Sequence, residues 1–210
     1  MRTFIALDIP AQVRERLSEY MERSRSYAPE ARWARVEGLH VTLKFVGEVS
    51  EELVEKMKAA LGQVKAAPFE VKFEGIGFFP NAKSPRVFWA GVDGGEALTR
   101  LASAVDASLE KLGITREEKA YHPHLTLARA STHPLRELAP LLPQPAQDRR
   151  VLGTPLLPQP AQDRRVLGTP LATAAPLRFG TMMAREFFLY QSKPQRGGSK
   201  YTRLERFQLE

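Results

Sequence analysis

With 210 residues, 43% of them apolar, the chain is long and apolar enough to build a core, which argues against a disordered protein. It contains no cysteine, which excludes disulfides, thiolate nucleophiles and cysteine-held zinc or iron–sulfur centres, and no run approaches the roughly 18 apolar residues of a membrane-spanning helix. The net charge of +7 and pI of about 9.8 are as compatible with an anionic partner such as nucleic acid as with a soluble protein that is simply basic.

The N-terminal segment Met1 to Pro10 reads as a first strand ended by Asp8 and Pro10; it is too short and too soon broken for a secretory signal, so a cytoplasmic location is expected. From Ala11 to Ser26, apolar residues at Val13, Leu17, Tyr20 and Met21 recur at helical spacing. A strand is expected over Leu39–Val46, closed by Gly47. Ser50 then caps a helix whose first turn is acidic and whose inward face is Leu53, Val54, Met57 and Leu61. Phe69–Phe73 alternates like a strand, Gly75, Gly77 and Pro80-Asn81 read as turns, and Arg86–Val92 is another strand. Leu98–Leu112 is an amphipathic helix stopped by Gly113, and His124–Arg129 is again a strand. Near the C-terminus, Phe187–Tyr190 and Tyr201–Leu209 form two strands around Gly197-Gly198. One stretch breaks this rhythm: residues 141–155 are repeated letter for letter at 156–170. Two proline-rich copies do not make a solenoid, so a surface loop excursion is expected; Arg149, Arg150, Arg164 and Arg165 could alternatively form a basic flap.

The strands at 39–46 and 124–129 carry the same pattern, His40-Val41-Thr42-Leu43 and His124-Leu125-Thr126-Leu127. Strand alternation puts each histidine and its threonine on one face. Two such strands brought together would surround one point with two imidazoles and two hydroxyls. That set suits a ribose 2′,3′-cyclic phosphate: attacking water loses a proton, the departing ribose oxygen gains one, and charge grows on the non-bridging oxygens. Imidazole titrates near neutrality, so one neutral and one protonated histidine can serve as base and acid, and threonine hydroxyls can donate to the phosphate. The scheme needs no cofactor and no metal. A single His-x-Thr-x is weak evidence, and for one histidine in isolation a hydrogen-bonded, half-buried structural role is the simpler reading. Two copies in a chain of four histidines point to function.

Lys44 shares the face of His40 and Thr42 by simple alternation and is a candidate for substrate binding or a solvated lysine. Arg129 falls opposite His124 unless a twist or bulge turns it toward the substrate. Phe45, Leu43, Leu125 and Leu127 read as core, and Trp33, Phe79 and Trp89 as core with some capacity to stack a base. His122 reads as a strand-entry residue and His133 as a loop or helix-start residue.

The doubled motif resembles the two-histidine phosphoesterase superfamily. Its surroundings are similar to the bacterial and archaeal 2′-5′ RNA ligase branch, also described as RNA 2′,3′-cyclic phosphodiesterase. The likeness rests on Arg32-Trp33 with His40 through Val49, on Phe79-Pro80-Asn81 and Pro85 through Val92, on Pro123 through Arg129, and on Leu189 through Ser192 with Gly197, Gly198 and Tyr201. It implies an α+β fold, bilobal and pseudo-two-fold, with two antiparallel sheets facing a central cleft and helices outside, forming one domain over 1–210. It further implies hydrolysis of RNA 2′,3′-cyclic phosphate ends to 2′-phosphomonoesters, with 2′-5′ RNA ligation as a secondary reverse reaction, His40 as proton donor and His124 as proton acceptor. RNA with a cyclic phosphate terminus is then the partner, with no membrane and no obligate protein partner. The alternatives are a cyclic phosphodiesterase on small nucleotides and a non-catalytic RNA-binding protein.

Overall fold

A computed structural model describes residues 1–142, 177–195 and 198–210. Of the tandem repeat only Leu141 and Leu142 fall within these, so neither the loop reading nor the basic flap can be compared with it. In chain order the described elements are β1 (Arg2–Asp8), α1 (Ala11–Arg25), β2 (Arg32–Trp33), β3 (His40–Glu48), α2 (Glu51–Leu61), β4 (Phe69–Phe79), β5 (Val87–Asp93), α3 (Gly95–Glu110), β6 (His124–Arg129), β7 (Arg178–Ala184), β8 (Glu186–Gln195) and β9 (Gly198–Gln208). The strands form two antiparallel sheets, one of four in the order β3-β1-β8-β9 and one of five in the order β2-β6-β5-β4-β7. This is the α+β architecture expected, with one motif strand in each sheet.

Local chemistry accounts for the elements. Val13, Leu17, Tyr20 and Met21 are the buried stripe of α1, and the Ser50 hydroxyl accepts a hydrogen bond from the Leu53 amide at 3.1 Å to cap α2. In α3 the buried face is Leu98, Leu101, Ala102, Val105 and Leu109. One apolar core runs through both sheets, with Ile5, Leu7, Val41 and Leu43 from the first and Phe73, Phe88, Leu125 and Leu127 from the second.

Three departures from the sequence reading concern β structure. The turns expected at Gly75 and Gly77 lie inside β4, which runs on to Phe79; Gly75, at φ 74°, sits in a bulge between Phe73 and Ile76 that bends the strand without ending it. β3 likewise continues through Gly47 to Glu48. The short β2 and the whole of β7 were not foreseen. β2 has only two residues, and β7 follows a stretch whose prolines and glycine dominate the local pattern.

Candidate active site

β3 is an edge strand of the four-stranded sheet, and β6 lies next to the two-residue β2 near the edge of the other. His40 and Thr42 from β3, and His124 and Thr126 from β6, all line one cleft of about 620 Å³. All four side chains are half-buried. The alternation that placed each His beside its Thr therefore holds over the first three residues of each motif.

Beyond that point a bulge in each strand inverts it. On β3, Lys44 pairs with Ile5 and Thr42 with Ala6, so Leu43 is the extra residue; on β6, Ala128 pairs with Phe88 and Thr126 with Trp89, so Leu127 is extra. The two bulges occupy equivalent places and have equivalent results. Residue four after the histidine, Lys44 or Ala128, turns into the interior, and residue five, Phe45 or Arg129, turns to the cleft. This corrects two readings. Lys44 does not line the cleft: it is 5% exposed and its ammonium contacts the Asp106 carboxylate at 2.5 Å and the Thr115 carbonyl at 2.6 Å. Phe45 is not core: it is 59% exposed and its ring lines the cleft. Arg129 is turned to the cleft as a bulge would require.

Both imidazoles are held in the same way. The Nδ1 of His40 lies 2.7 Å from the Gly38 carbonyl oxygen, and the Nδ1 of His124 lies 2.7 Å from that of His122. A carbonyl only accepts, so Nδ1 carries the hydrogen in each and Nε2 is the atom that gains or loses a proton. His40 stacks on Phe4 at 4.6 Å between centroids and meets the edge of Tyr201 at 5.1 Å; His124 meets Phe79 edge to face at 4.9 Å. Burial is the main influence on both and lowers both pKa values below 6.5, partly offset by the backbone carbonyls. Arg129 lowers them further.

The cleft mouth adds Arg32, Trp33 and Arg35 from one side and Gly198, Ser199 and Tyr201 from the other. Trp33 is thus a cleft residue, although its indole donates to the Ala28 carbonyl at 3.0 Å. Phe79 and Trp89 pack against each other as a tilted pair at 5.3 Å behind His124 and do not line the cleft. His122 contributes its carbonyl, and His133 is an exposed loop residue. Phe45, Tyr201 and Arg35 were missed as site residues; a bulge, invisible to periodicity, hid the first, and long-range packing brought in the others.

Lys44 has a different role. Asp106, its partner on α3, also accepts from the Glu117 amide at 3.2 Å, and the Tyr121 hydroxyl donates to the Thr42 carbonyl at 2.9 Å. These contacts fasten the segment leading into β6 onto β3 and so brace one motif against the other. Lys44→Met should lower stability by about 2 kcal/mol in chemical unfolding. This is less than the roughly 3–5 kcal/mol typical when one member of a buried pair is removed. The reduction reflects Arg116, 3.6 Å away, and the Glu117 amide, which still serve Asp106.

Among the described residues no cluster of three or more His, Asp or Glu is arranged to hold a metal, and no helix is long and apolar enough to cross a membrane. Residues 7–89 match the family model described as LigT-like phosphoesterase. The chain is 41% identical over 129 residues to the RNA 2′,3′-cyclic phosphodiesterase of Archaeoglobus fulgidus, covering 61% of this chain and 72% of that one. To the enzyme of the same name from Escherichia coli it is 27% identical over 210 residues, covering 99% and 96%. The crystal structure of E. coli LigT complexed with 3′-AMP superposes with a TM-score of 0.70 at 26% identity, covering 99% of this chain and 97% of that one. Two antiparallel sheets with a doubled His-x-Thr-x between them define a phosphoesterase of the two-histidine class. This chain belongs to the LigT-like phosphoesterase family.

Proposed function

We propose that this protein hydrolyses RNA 2′,3′-cyclic phosphate ends to 2′-phosphomonoesters, with His40 protonating the leaving 3′ oxygen and His124 deprotonating the attacking water. One observation carries the reading: two imidazoles, each pinned through Nδ1 and so left with Nε2 as its working atom, line the same cleft from different sheets. In-line displacement at phosphorus needs an acid and a base on opposite sides, and two separate strands can supply them. Thr42, Thr126 and Arg129 line the cleft with both histidines, which supports the two hydroxyls as donors to the non-bridging oxygens and the guanidinium as a planar cationic fork for the same charge. The exposed ring of Phe45 gives a nucleobase a stacking surface, and Arg32 at the mouth favours a polyanionic strand. With a ribose hydroxyl in place of water, the same groups would join ends through a 2′-5′ bond; abundant water favours hydrolysis.

The test is to incubate the protein, with chelator present, with an oligoribonucleotide ending in a 2′,3′-cyclic phosphate and with the corresponding mononucleotide. A 2′-phosphate end formed faster on the oligonucleotide supports the proposal. Faster turnover of the mononucleotide would favour a small-nucleotide enzyme, and binding without turnover an RNA-binding protein.

The pH dependence has a definite sign. His124 must be neutral and His40 protonated, so kcat/KM falls on the acid side as His124 gains a proton and on the alkaline side as His40 loses one. Since both pKa values lie below 6.5, the kcat/KM maximum is expected below that pH. Bound phosphate favours both imidazolium forms, so the kcat profile should lie at higher pH. A kcat/KM maximum well above neutrality would contradict this.

A further inference from the structure

The two half-sites share the motif, the bulge and the carbonyl anchor of the imidazole, but they differ across the ladder from the histidines. Across the ladder from His40 stands Asp8 on β1; across from His124 stands Gly91 on β5. Directly opposed residues of antiparallel strands project to the same face with Cβ atoms about 5 Å apart, so the position paired with one imidazole carries a carboxylate and the position paired with the other carries no side chain. Gly91 cannot be replaced without displacement, because a Cβ there would be 2.3 Å from the Glu74 carbonyl oxygen. Asp8 is held in place: the Tyr190 hydroxyl donates to Oδ1 at 2.5 Å, and the Arg203 guanidinium pairs with Oδ2. Tyr190 in turn stacks on Phe4, the ring that supports His40.

We infer that Asp8, oriented by Tyr190 and Arg203, is the positioning residue that makes His40 rather than His124 the protonated member of the pair. This deepens the function proposed above and rests on it. A pseudo-symmetric site needs something to break the tie between its two imidazoles, because catalysis requires one charged and one neutral. Burial opposes protonation of both, more strongly for the more deeply buried His40, but the nearby charges differ in sign: the Asp8 carboxylate favours the charged form of His40, against the opposing pull of His124 and Arg129. His124 has Arg129 and its neighbour His122, both of which favour its neutral form. The remaining charged and phenolic groups around His40 are Glu37 from its own turn, Arg14 from α1, Tyr190 from β8, Tyr201 and Arg203 from β9, and the cleft-lining Arg32 and Arg35. Of these, Tyr201, Arg32 and Arg35 also line the cleft that holds His124, and the others do not.

The test is the pH profile of kcat/KM. On the alkaline limb, where rate follows the protonated fraction of His40, Asp8→Asn should fall roughly 3–10-fold below the wild type. The acid limb, which follows His124, should be unmoved. Asp8→Glu should restore the alkaline limb, at least in part. Arg203→Gln removes a cation beyond Asp8 and should move the alkaline limb the other way, to higher pH; it serves as the test if Asp8→Asn does not fold. A profile of unchanged shape in the folded variant, whatever its height, or movement of both limbs together, overturns the inference. Its failure is distinguishable from failure of the acid–base reading, which would appear as turnover surviving in both His40→Ala and His124→Ala.

Discussion

His40→Ala and His124→Ala are each expected to lower kcat by about 10²- to 10⁴-fold on an RNA 2′,3′-cyclic phosphate, the range of a single well-placed general acid or base. Each proton moves in the transition state, so kcat/KM should fall in proportion and KM should change little. The double variant should be scarcely worse than the poorer single one, because the two imidazoles act on one concerted displacement and their losses do not add. Neither histidine is a main support of the fold. Each is half-buried, and among the described residues its hydrogen bond is to a carbonyl two residues before it, so unfolding curves should stay close to the wild type's. Single-turnover assays on folded variants measure this, and wild-type rates in both would refute the mechanism.

Arg129→Met is expected to lower kcat by about 10²- to 10³-fold, comparable to removing one donor aimed at developing negative charge. The bulge at Leu127 sets the direction of this side chain. Without it Arg129 would point away from His124; with it the guanidinium lines the cleft beside both histidines. Arg129→Lys keeps the charge but loses the planar fork, and should recover only part of the loss. The readout is kcat in parallel with the affinity for inorganic phosphate, which both variants should weaken. The exposed position of Arg129 makes a large effect on stability unexpected, so an inactive but fully folded Arg129→Met is the anticipated result.

Much of the architecture could be read in advance because it follows from periodicity and capping. The stripe of α1, the Ser50 cap of α2 and the span His124–Arg129 all have direct chemical signatures. The shared face of His40 and Thr42, and of His124 and Thr126, needs only the two-residue repeat of a strand. Reasoning from alternation stopped at Leu43 and Leu127. A bulge adds one residue to one strand, and nothing in His-Val-Thr-Leu-Lys-Phe marks where the extra residue lies, so Lys44 and Phe45 were assigned to each other's faces. The ion pair between Lys44 and Asp106 depends on α3 packing beside β3, which only the tertiary fold provides. The same holds for Asp8. Its place at the end of the first strand was plain, but its pairing with His40 and the contrast with Gly91 emerge from the register of two sheets.

The most direct test of the central claim replaces the bridging O3′ of the cyclic phosphate with sulfur. A thiolate leaves without a proton donor, so this substrate bypasses the acid and still needs the base. With His40 as the acid and His124 as the base, His40→Ala should turn over the sulfur substrate at close to the wild-type rate, while His124→Ala remains slow on both substrates. Rescue of His124→Ala instead, or an equal defect of His40→Ala on the oxygen and sulfur substrates, would contradict it.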